Sequence, residues 1–429
     1  MIGLADCNNF FVSCERSVDP SLEGRAVVVL SNNDGCVVAR SNEAKKMGIR
    51  MGQPAFEIKD LLVSGKIVAL SGNHILYREI SLQVHEIFRR YVPATLDYSV
   101  DEAFLDMGGI PLAALEEIGE EIHKTCLREA RIPVTIGFAP SKTLAKIATE
   151  VGKKQGRRVV VLSDRGEIDR ILDQVPIGDL WGIGRRLAKK MYLWGVHTVG
   201  DFARKPVQWV RGKLGVVGER SWRELHGESC IELSYVERTL QESISETRTF
   251  PEDIDDPDYL RSRIAIYCGH ISKRLRAMGG EAAEVSVFLR TNRFHLERGT
   301  YAPMATAEFN PPTSDSAAIA NAALRLLDRI YRPEFKYKRG GVVLSKIRRA
   351  GVVAPSLFDE GQTDIEAMRK SKRLMEAIDT LNAGVKQHVM KLASELSAGY
   401  TGHNDGYSSS FGPPKKVDRD DILNKKRKK

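Results

Sequence analysis

The chain holds six cysteines in 429 residues, at positions 7, 14, 36, 126, 230 and 268, and no two of them form a C-x-x-C pair. That scatter argues against a zinc ribbon or a disulfide framework and fits a reducing cytosol. Its nine histidines include no H-E-x-x-H or comparable cluster, which sets aside the zincin class of hydrolase. No apolar run approaches the ~18 residues of a membrane-spanning helix. The N-terminus has no basic segment leading into an apolar one, so secretion is not expected. Nor is there a large excess of one charge: 65 Lys and Arg stand against 56 Asp and Glu, a net +9. The last fifteen residues, from Lys415, carry eight basic and three acidic groups, so only +4 falls on the rest. A polyanionic partner is compatible with that balance but not demanded by it. The length exceeds what one core supports and implies several domains.

What is present is two short acidic clusters about 95 residues apart. The first is Ile2-Gly3-Leu4-Ala5-Asp6-Cys7-Asn8-Asn9-Phe10-Phe11 and the second Tyr98-Ser99-Val100-Asp101-Glu102-Ala103-Phe104-Leu105-Asp106. Asp-Glu pairs are commonly solvated turns. Here, however, each cluster places carboxylates at the edge of an apolar, strand-like run. A carboxylate in that setting is costly to desolvate unless a cation neutralises it. Asp6, Asp101 and Glu102 together have the donor chemistry to hold two Mg²⁺ ions, the apparatus of in-line displacement at phosphorus. The second cluster reads as a hairpin with its polar pair between Tyr98/Val100 and Phe104/Leu105.

These residues resemble the Y-family DNA polymerases, the translesion enzymes. The stretch from Ser31 to Ile49, Ser-Asn-Asn-Asp-Gly-Cys-Val-Val-Ala-Arg-Ser-Asn-Glu-Ala-Lys-Lys-Met-Gly-Ile, resembles the UmuC branch, the catalytic subunit of bacterial DNA polymerase V, more than the DinB branch. The likeness runs from Met1 to about Ala350 and more loosely to Ser394, with five motifs in the family's order. It implies an α+β multidomain, right-hand polymerase. The palm would span 1–12 and 74–165, the fingers 13–73, a helical thumb 166–235 and an α/β little finger 241–350. A C-terminal extension over 351–398 and a flexible basic tail over 399–429 would follow.

The pattern of residues supports that layout. Residues 1–12 and 25–30 read as strands, and Ser41–Gly48 as a short helix with Ser41 as N-cap. Ile75–Tyr91 and Leu112–Ala130 have helical periodicity. Val134–Phe138 and Val159–Leu162 read as strands, with a helix Ser141–Val151 between them. Leu180-Trp181-Gly182-Ile183-Gly184-Arg185-Arg186-Leu187 resembles a helix-hairpin-helix turn, and Lys213–Arg220 a second, weaker one. Gly182, Gly184, Gly215 and Gly218 would let backbone N–H groups approach DNA phosphates. A linker at Tyr235–Gln241 leads to repeated β-α-β units, with helices at Tyr259–Met278 and Ala317–Tyr331 and strands at Glu284–Thr291 and Gly341–Ile347. Thr300–Ser314 reads as a Pro-rich connection. Gly399 onward is Gly/Ser/Pro-rich and ends in Lys425-Lys426-Arg427-Lys428-Lys429, a disordered composition.

The resemblance also assigns roles. Asp6, Asp101 and Glu102 would be catalytic metal ligands, joined by the carbonyl of Cys7, for two Mg²⁺ ions. Phe11 would be the steric gate that leaves no room for a 2′-hydroxyl. Phe10, Cys36, Val38, Asn42, Lys45 and Lys153 would contact the nucleotide, with Asn42 and Lys45 standing where relatives carry Tyr and Arg. Leu357 and Phe358 would plug a sliding clamp, in a motif that has Ala354 where the family usually has Gln. Implied partners are primer-template DNA, dNTP, a processed UmuD dimer, a RecA filament and the clamp. The implied setting is cytoplasmic, nucleoid-associated DNA repair, with SOS mutagenesis as the outcome. Two rivals remain open: a DNA-damage scaffold without chemistry, which the three carboxylates disfavour, and a palm-fold nucleotide cyclase, which has no use for the hairpin turns.

Overall fold

The structure, a computed structural model, describes residues 1–31, 35–231, 240–295, 299–351 and 365–383. The described residues fall into two units, one within Met1–Tyr235 and one within Val236–His403. Among them, no helix is long and apolar enough to cross a membrane.

The first unit is built on β1 (Ile2–Cys7), which is buried along its whole length because it lies at the centre of a sheet. After α1 (Phe10–Val18) the chain forms a small sheet from β2 (Val27–Leu30), β3 (Val37–Arg40) and, beyond α2 (Asn42–Lys46) and α3 (Lys59–Val63), β4 (Val68–Ser71), in the order β3-β2-β4. Ser41 caps α2 as expected, accepting from the Ala44 N–H at 3.2 Å. The chain returns through α4 (His74–Arg89) to β5 (Ala94–Asp97) and β6 (Glu102–Asp106), an antiparallel hairpin whose turn carries Asp101. Next come α5 (Leu112–Glu129), β7 (Val134–Ala139), α6 (Lys142–Gln155) and β8 (Val159–Val161), which complete the sheet β5-β6-β1-β7-β8. β1 runs antiparallel to both neighbours, so Asp6 sits opposite Glu102 on one side and Thr135 on the other.

Helix α6 runs a full turn beyond the expected end at Val151. It stops where Gly156 takes a left-handed conformation, φ 70°, and closes the helix. The extra turn puts Lys153 on the helix, seven residues after Lys146 and on the same face. The helix lies tight against the sheet at Gly137, where a Cβ would stand 2.4 Å from the Thr149 backbone nitrogen.

A helical region closes the first unit: α7 (Arg165–Leu172), α8 (Arg185–Leu193), α9 (Val199–Ala203) and α10 (Val207–Leu225). Gly182 has φ 89° and Gly184 is the N-cap of α8, the strand-free turn the sequence suggests. The second hairpin is a kink within α10: Gly215, at φ 67° and ψ −163°, is the one non-helical residue inside it. Gly218 is helical and close-packed, since a Cβ there would meet the Leu214 Cβ at 2.2 Å. The end of α10 is stapled to the start of α6. The buried Glu224 carboxylate accepts from the N–H groups of Thr143 (2.8 Å), Cys230 (3.0 Å) and Ile231 (3.2 Å).

The second unit comprises β9 (Ser243–Ile254), α11 (Pro257–Ala277), β10 (Gly280–Thr291), β11 (Met304–Thr313), α12 (Ser316–Ile330) and β12 (Tyr337–Arg349), followed by α13 (Ile365–Ala383). The repeated β-α-β reading matches the element order, β9-α11-β10 followed by β11-α12-β12, and the two units interleave in one sheet, β11-β10-β12-β9, whose neighbouring strands are antiparallel; the strand before α11 was not revealed by the sequence. One expectation changes. The Pro-rich connection at Thr300–Ser314 is mostly the strand β11. It lies at the sheet edge, where missing N–H donors are tolerated. Pro311 and Pro312 fall in the register shift between the Glu284/Glu308 and Ala282/Thr313 pairs, so neither has to donate to the ladder. Leu357, Phe358 and the basic tail lie outside the described residues.

Candidate active site

The carboxylates of Asp6 and Glu102 meet because β1 and β6 pair in register. Asp6 is only 6% exposed. Burial, opposed by Lys153 and reinforced by a hydrogen bond shared with Glu102, pushes its carboxyl up to about 7. Burial also presses on Glu102, but the bond shared with Asp6 and the ammonium of Lys146 hold its carboxyl below the usual range. One carboxyl is raised and its neighbour lowered, the behaviour of two acids sharing a site.

Each carboxylate is met by a lysine from α6. Lys153 Nζ donates to Asp6 Oδ2 at 2.6 Å and to Glu150 Oε1 at 2.9 Å. Burial lowers the Lys153 ammonium, but Asp6 and Glu150 hold it above its ordinary value. Lys146 Nζ donates to both oxygens of Glu102, at 2.9 and 3.0 Å. These ammonium groups supply the positive charge that the buried acids need. Asp101 is placed differently. Its carbonyl accepts from the Cys7 N–H at 2.9 Å, which seats it beside β1, but its carboxylate accepts from the Ser99 hydroxyl at 2.5 Å. Among the described residues, no three Asp, Glu, His or Cys side chains form a metal-binding cluster. The hard oxygen donors of Asp6 and Glu102, each already facing a cation, fit a divalent metal. Cys7 itself is core: burial pushes its thiol well up, leaving only its carbonyl as a ligand.

Asn9 turns the chain from β1 into α1 in the left-handed region, φ 50°, and its amide donates to Asn42 at 3.1 Å. The Phe10 ring is buried in the core, so any nucleotide contact from it is through its backbone N–H at the start of α1. Phe11 is half-buried and stacks on Tyr77, with ring centroids 4.4 Å apart and planes at 15°. The Tyr77 hydroxyl in turn donates to the fully buried Glu15 at 2.5 Å.

On the small sheet, Cys36, Val38 and Arg40 alternate with buried residues and so share one half-exposed face. Lys45 is exposed on α2. Desolvation of its ammonium and the charges of Arg40 and Lys153 hold it below its ordinary value. Arg40 was not singled out from the sequence, although its spacing of two from Val38 was the available signal. Lys146 was likewise missed. Its signal was the spacing of seven from Lys153, visible only once the helix is known to continue past Val151.

Family models match two segments. Residues 5–150 match the impB/mucB/samB family and residues 241–357 match its C-terminal domain. The chain is 38% identical over 387 residues to Protein UmuC of Salmonella typhimurium, covering 89% of this chain and 90% of that protein. It is 36% identical over 394 residues to Protein ImpB of Salmonella typhimurium, covering 91% and 92%. It is 28% identical over 404 residues to DNA polymerase IV of Pelotomaculum thermopropionicum, covering 92% and 95%. A solved Y-family DNA polymerase chimera of Dbh and Dpo4 has the same fold, with a TM-score of 0.64 and 23% identity over 81% of this chain and 99% of that one. From the register of its carboxylates to its match with these relatives, the chain belongs to the impB/mucB/samB family, on the UmuC branch of the Y-family DNA polymerases.

Proposed function

We propose that this chain copies DNA past template lesions, transferring a nucleotide from a deoxynucleoside triphosphate to the primer 3′-hydroxyl. It is a DNA polymerase of the translesion type and depends on a divalent metal. The observation that carries the reading is the pairing of Asp6 with Glu102 across two strands, with a lysine of α6 on each. Two Mg²⁺ ions would be held by Asp6, Asp101, Glu102 and the Cys7 carbonyl. Bound there, they lower the pKa of the primer hydroxyl and offset charge on the departing pyrophosphate.

The chain's own residues do the rest by positioning. Lys153 exchanges Asp6 for the triphosphate, alongside Lys45, Asn42 and Arg40. The free N–H groups at the start of α1 face the same phosphates. Phe11, backed by Tyr77, excludes a 2′-hydroxyl, and small Cys36 and Val38 leave a roomy roof over the base pair. The hairpin at Gly182 and Gly184 and the kink at Gly215, with Gly218 behind it, grip phosphates without reading bases. This reading takes 1–12 and 74–165 as palm, 13–73 as fingers, 166–235 as thumb and 241–350 as little finger. A processed UmuD dimer, a RecA filament and, through Leu357 and Phe358, a sliding clamp are its proposed partners in the cytoplasm.

Primer extension by the purified chain tests the reading. Asp101→Ala should lower the rate by about 10³-fold or more while primer-template binding survives, because phosphate contacts lie elsewhere. Near-normal extension by that variant refutes the site.

A further inference from the structure

Lys146 has surroundings that nucleotide transfer does not explain. Its Nζ, besides bonding both Glu102 oxygens, lies 4.8 Å from the ring centroid of Tyr98 and 5.7 Å from that of Trp181. The two rings meet edge to face, 5.6 Å apart at 87°, and the Trp181 indole N–H donates to the Tyr98 hydroxyl at 3.1 Å. Phe104 closes the cluster, with centroids 5.5 Å from Tyr98 and 6.0 Å from Trp181. Tyr98 begins the turn that carries Asp101. Trp181 immediately precedes Gly182, the positive-φ residue of the thumb hairpin. One ammonium therefore joins a palm carboxylate to the turn expected to lie on DNA.

We propose that Tyr98 and Trp181 are positioning residues that give the Lys146 ammonium a second place to reside, so that Glu102 can release an oxygen to a divalent cation. The inference rests on Glu102 being a metal ligand. Each Glu102 oxygen keeps a second lone pair, but an ammonium bonded to both competes with a metal for the carboxylate's charge and fixes its orientation, so metal binding is favoured when Lys146 gives up at least one of them. In water, or against bare hydrocarbon, the displaced ammonium would compete back for the carboxylate. Two aromatic faces hold it instead, close enough to keep one hydrogen bond and orient the carboxylate. Because Trp181 belongs to the hairpin turn, the exchange is set by where that turn lies.

The opposing contributions of lysine and indole make the proposal testable. Mn²⁺ binding to the purified full chain with primer-template and without nucleotide, followed by electron paramagnetic resonance, is the direct readout. Half-saturating Mg²⁺ in primer extension is the second. Trp181→Ala should weaken both by about threefold to tenfold, from the loss of one cation–aromatic contact and its hold on Tyr98. Tyr98→Phe, which keeps the ring but frees the indole, should act in the same direction and less. Lys146→Met removes the competitor and should tighten Mn²⁺ binding, while lowering the maximal rate because Glu102 loses its orientation. In the Lys146→Met background, Trp181→Ala should no longer change metal affinity. A Trp181 effect that persists in that background overturns the proposal and makes the indole a packing residue. A changed primer-template Kd with unchanged Mn²⁺ affinity also overturns it and makes Trp181 a DNA contact. Should Trp181→Ala fail to fold, Trp181→Phe and Tyr98→Phe carry the same test, and unchanged Mn²⁺ affinity in both overturns it. Glu102→Gln separates the two levels. Unaltered Mn²⁺ binding there refutes the metal assignment, whereas weakened binding with Trp181→Ala unchanged refutes the cradle alone.

Discussion

Glu15 is a fully buried carboxyl whose second oxygen finds no hydrogen-bond partner among the described residues. Burial, only partly opposed by the Tyr77 hydrogen bond, pushes it up to about 7 from 4.5. The folded chain thus binds a proton that the unfolded chain has lost between those pH values, so stability falls as pH rises. The contribution is fully present below about 4.5 and gone above about 7. A shift of that size corresponds to roughly 3 kcal/mol. Glu15→Gln, which keeps the shape and stays neutral, should exceed the native chain by less than about 1 kcal/mol at pH 5 and by up to about 3 kcal/mol at pH 8. Urea midpoints of both proteins at pH 5, 6, 7 and 8 measure the difference, with circular dichroism at two wavelengths to check that the first unit is followed. A difference that is the same at every pH would show that Glu15 is ionised throughout, and the burial argument would fail. The same titration reaches the nucleotide site, because Tyr77 bonds Glu15 and stacks on Phe11.

Three further outcomes are expected. Phe11→Ala should raise ribonucleotide incorporation more than it lowers deoxynucleotide use, and an unchanged ratio in competition assays would make Phe11 a packing residue against Tyr77. Glu224→Ala should destabilise the first unit by about 3 kcal/mol in thermal or urea melts, because three backbone N–H donors lose their acceptor. Glu224→Gln should recover only part of that. Deleting residues 353–429 should spare distributive synthesis on a short primer, since every proposed catalytic residue precedes them, while Leu357→Ala with Phe358→Ala should reduce clamp-stimulated synthesis. Full stimulation in the double variant would mean that Ala354, in place of Gln, marks a motif that does not bind.

Local pattern was enough for much of this protein. Asp6 and the Asp101-Glu102 pair stood out because carboxylates at the edges of apolar runs need neutralising, and that need is written in a few consecutive residues. Helices α4, α5, α11 and α12 were legible because each has a continuous apolar face, a property of spacing alone. Strand β11 was not, since prolines signal a connection unless the strand is known to lie at an edge. Strand β9 was hidden in a polar run, Ser243–Ile254, whose partner β12 lies some ninety residues on. Which cations meet the acids was also beyond the sequence. Lys146 and Lys153 reach Glu102 and Asp6 only because α6 crosses the sheet at Gly137, and Trp181 reaches Lys146 only because the turn at Gly182 folds back on the turn at Tyr98. Side-chain type and spacing determine which chemistry is available along the chain, but the neutralising partner of a buried charge is chosen by packing, and packing joins residues that the sequence keeps far apart.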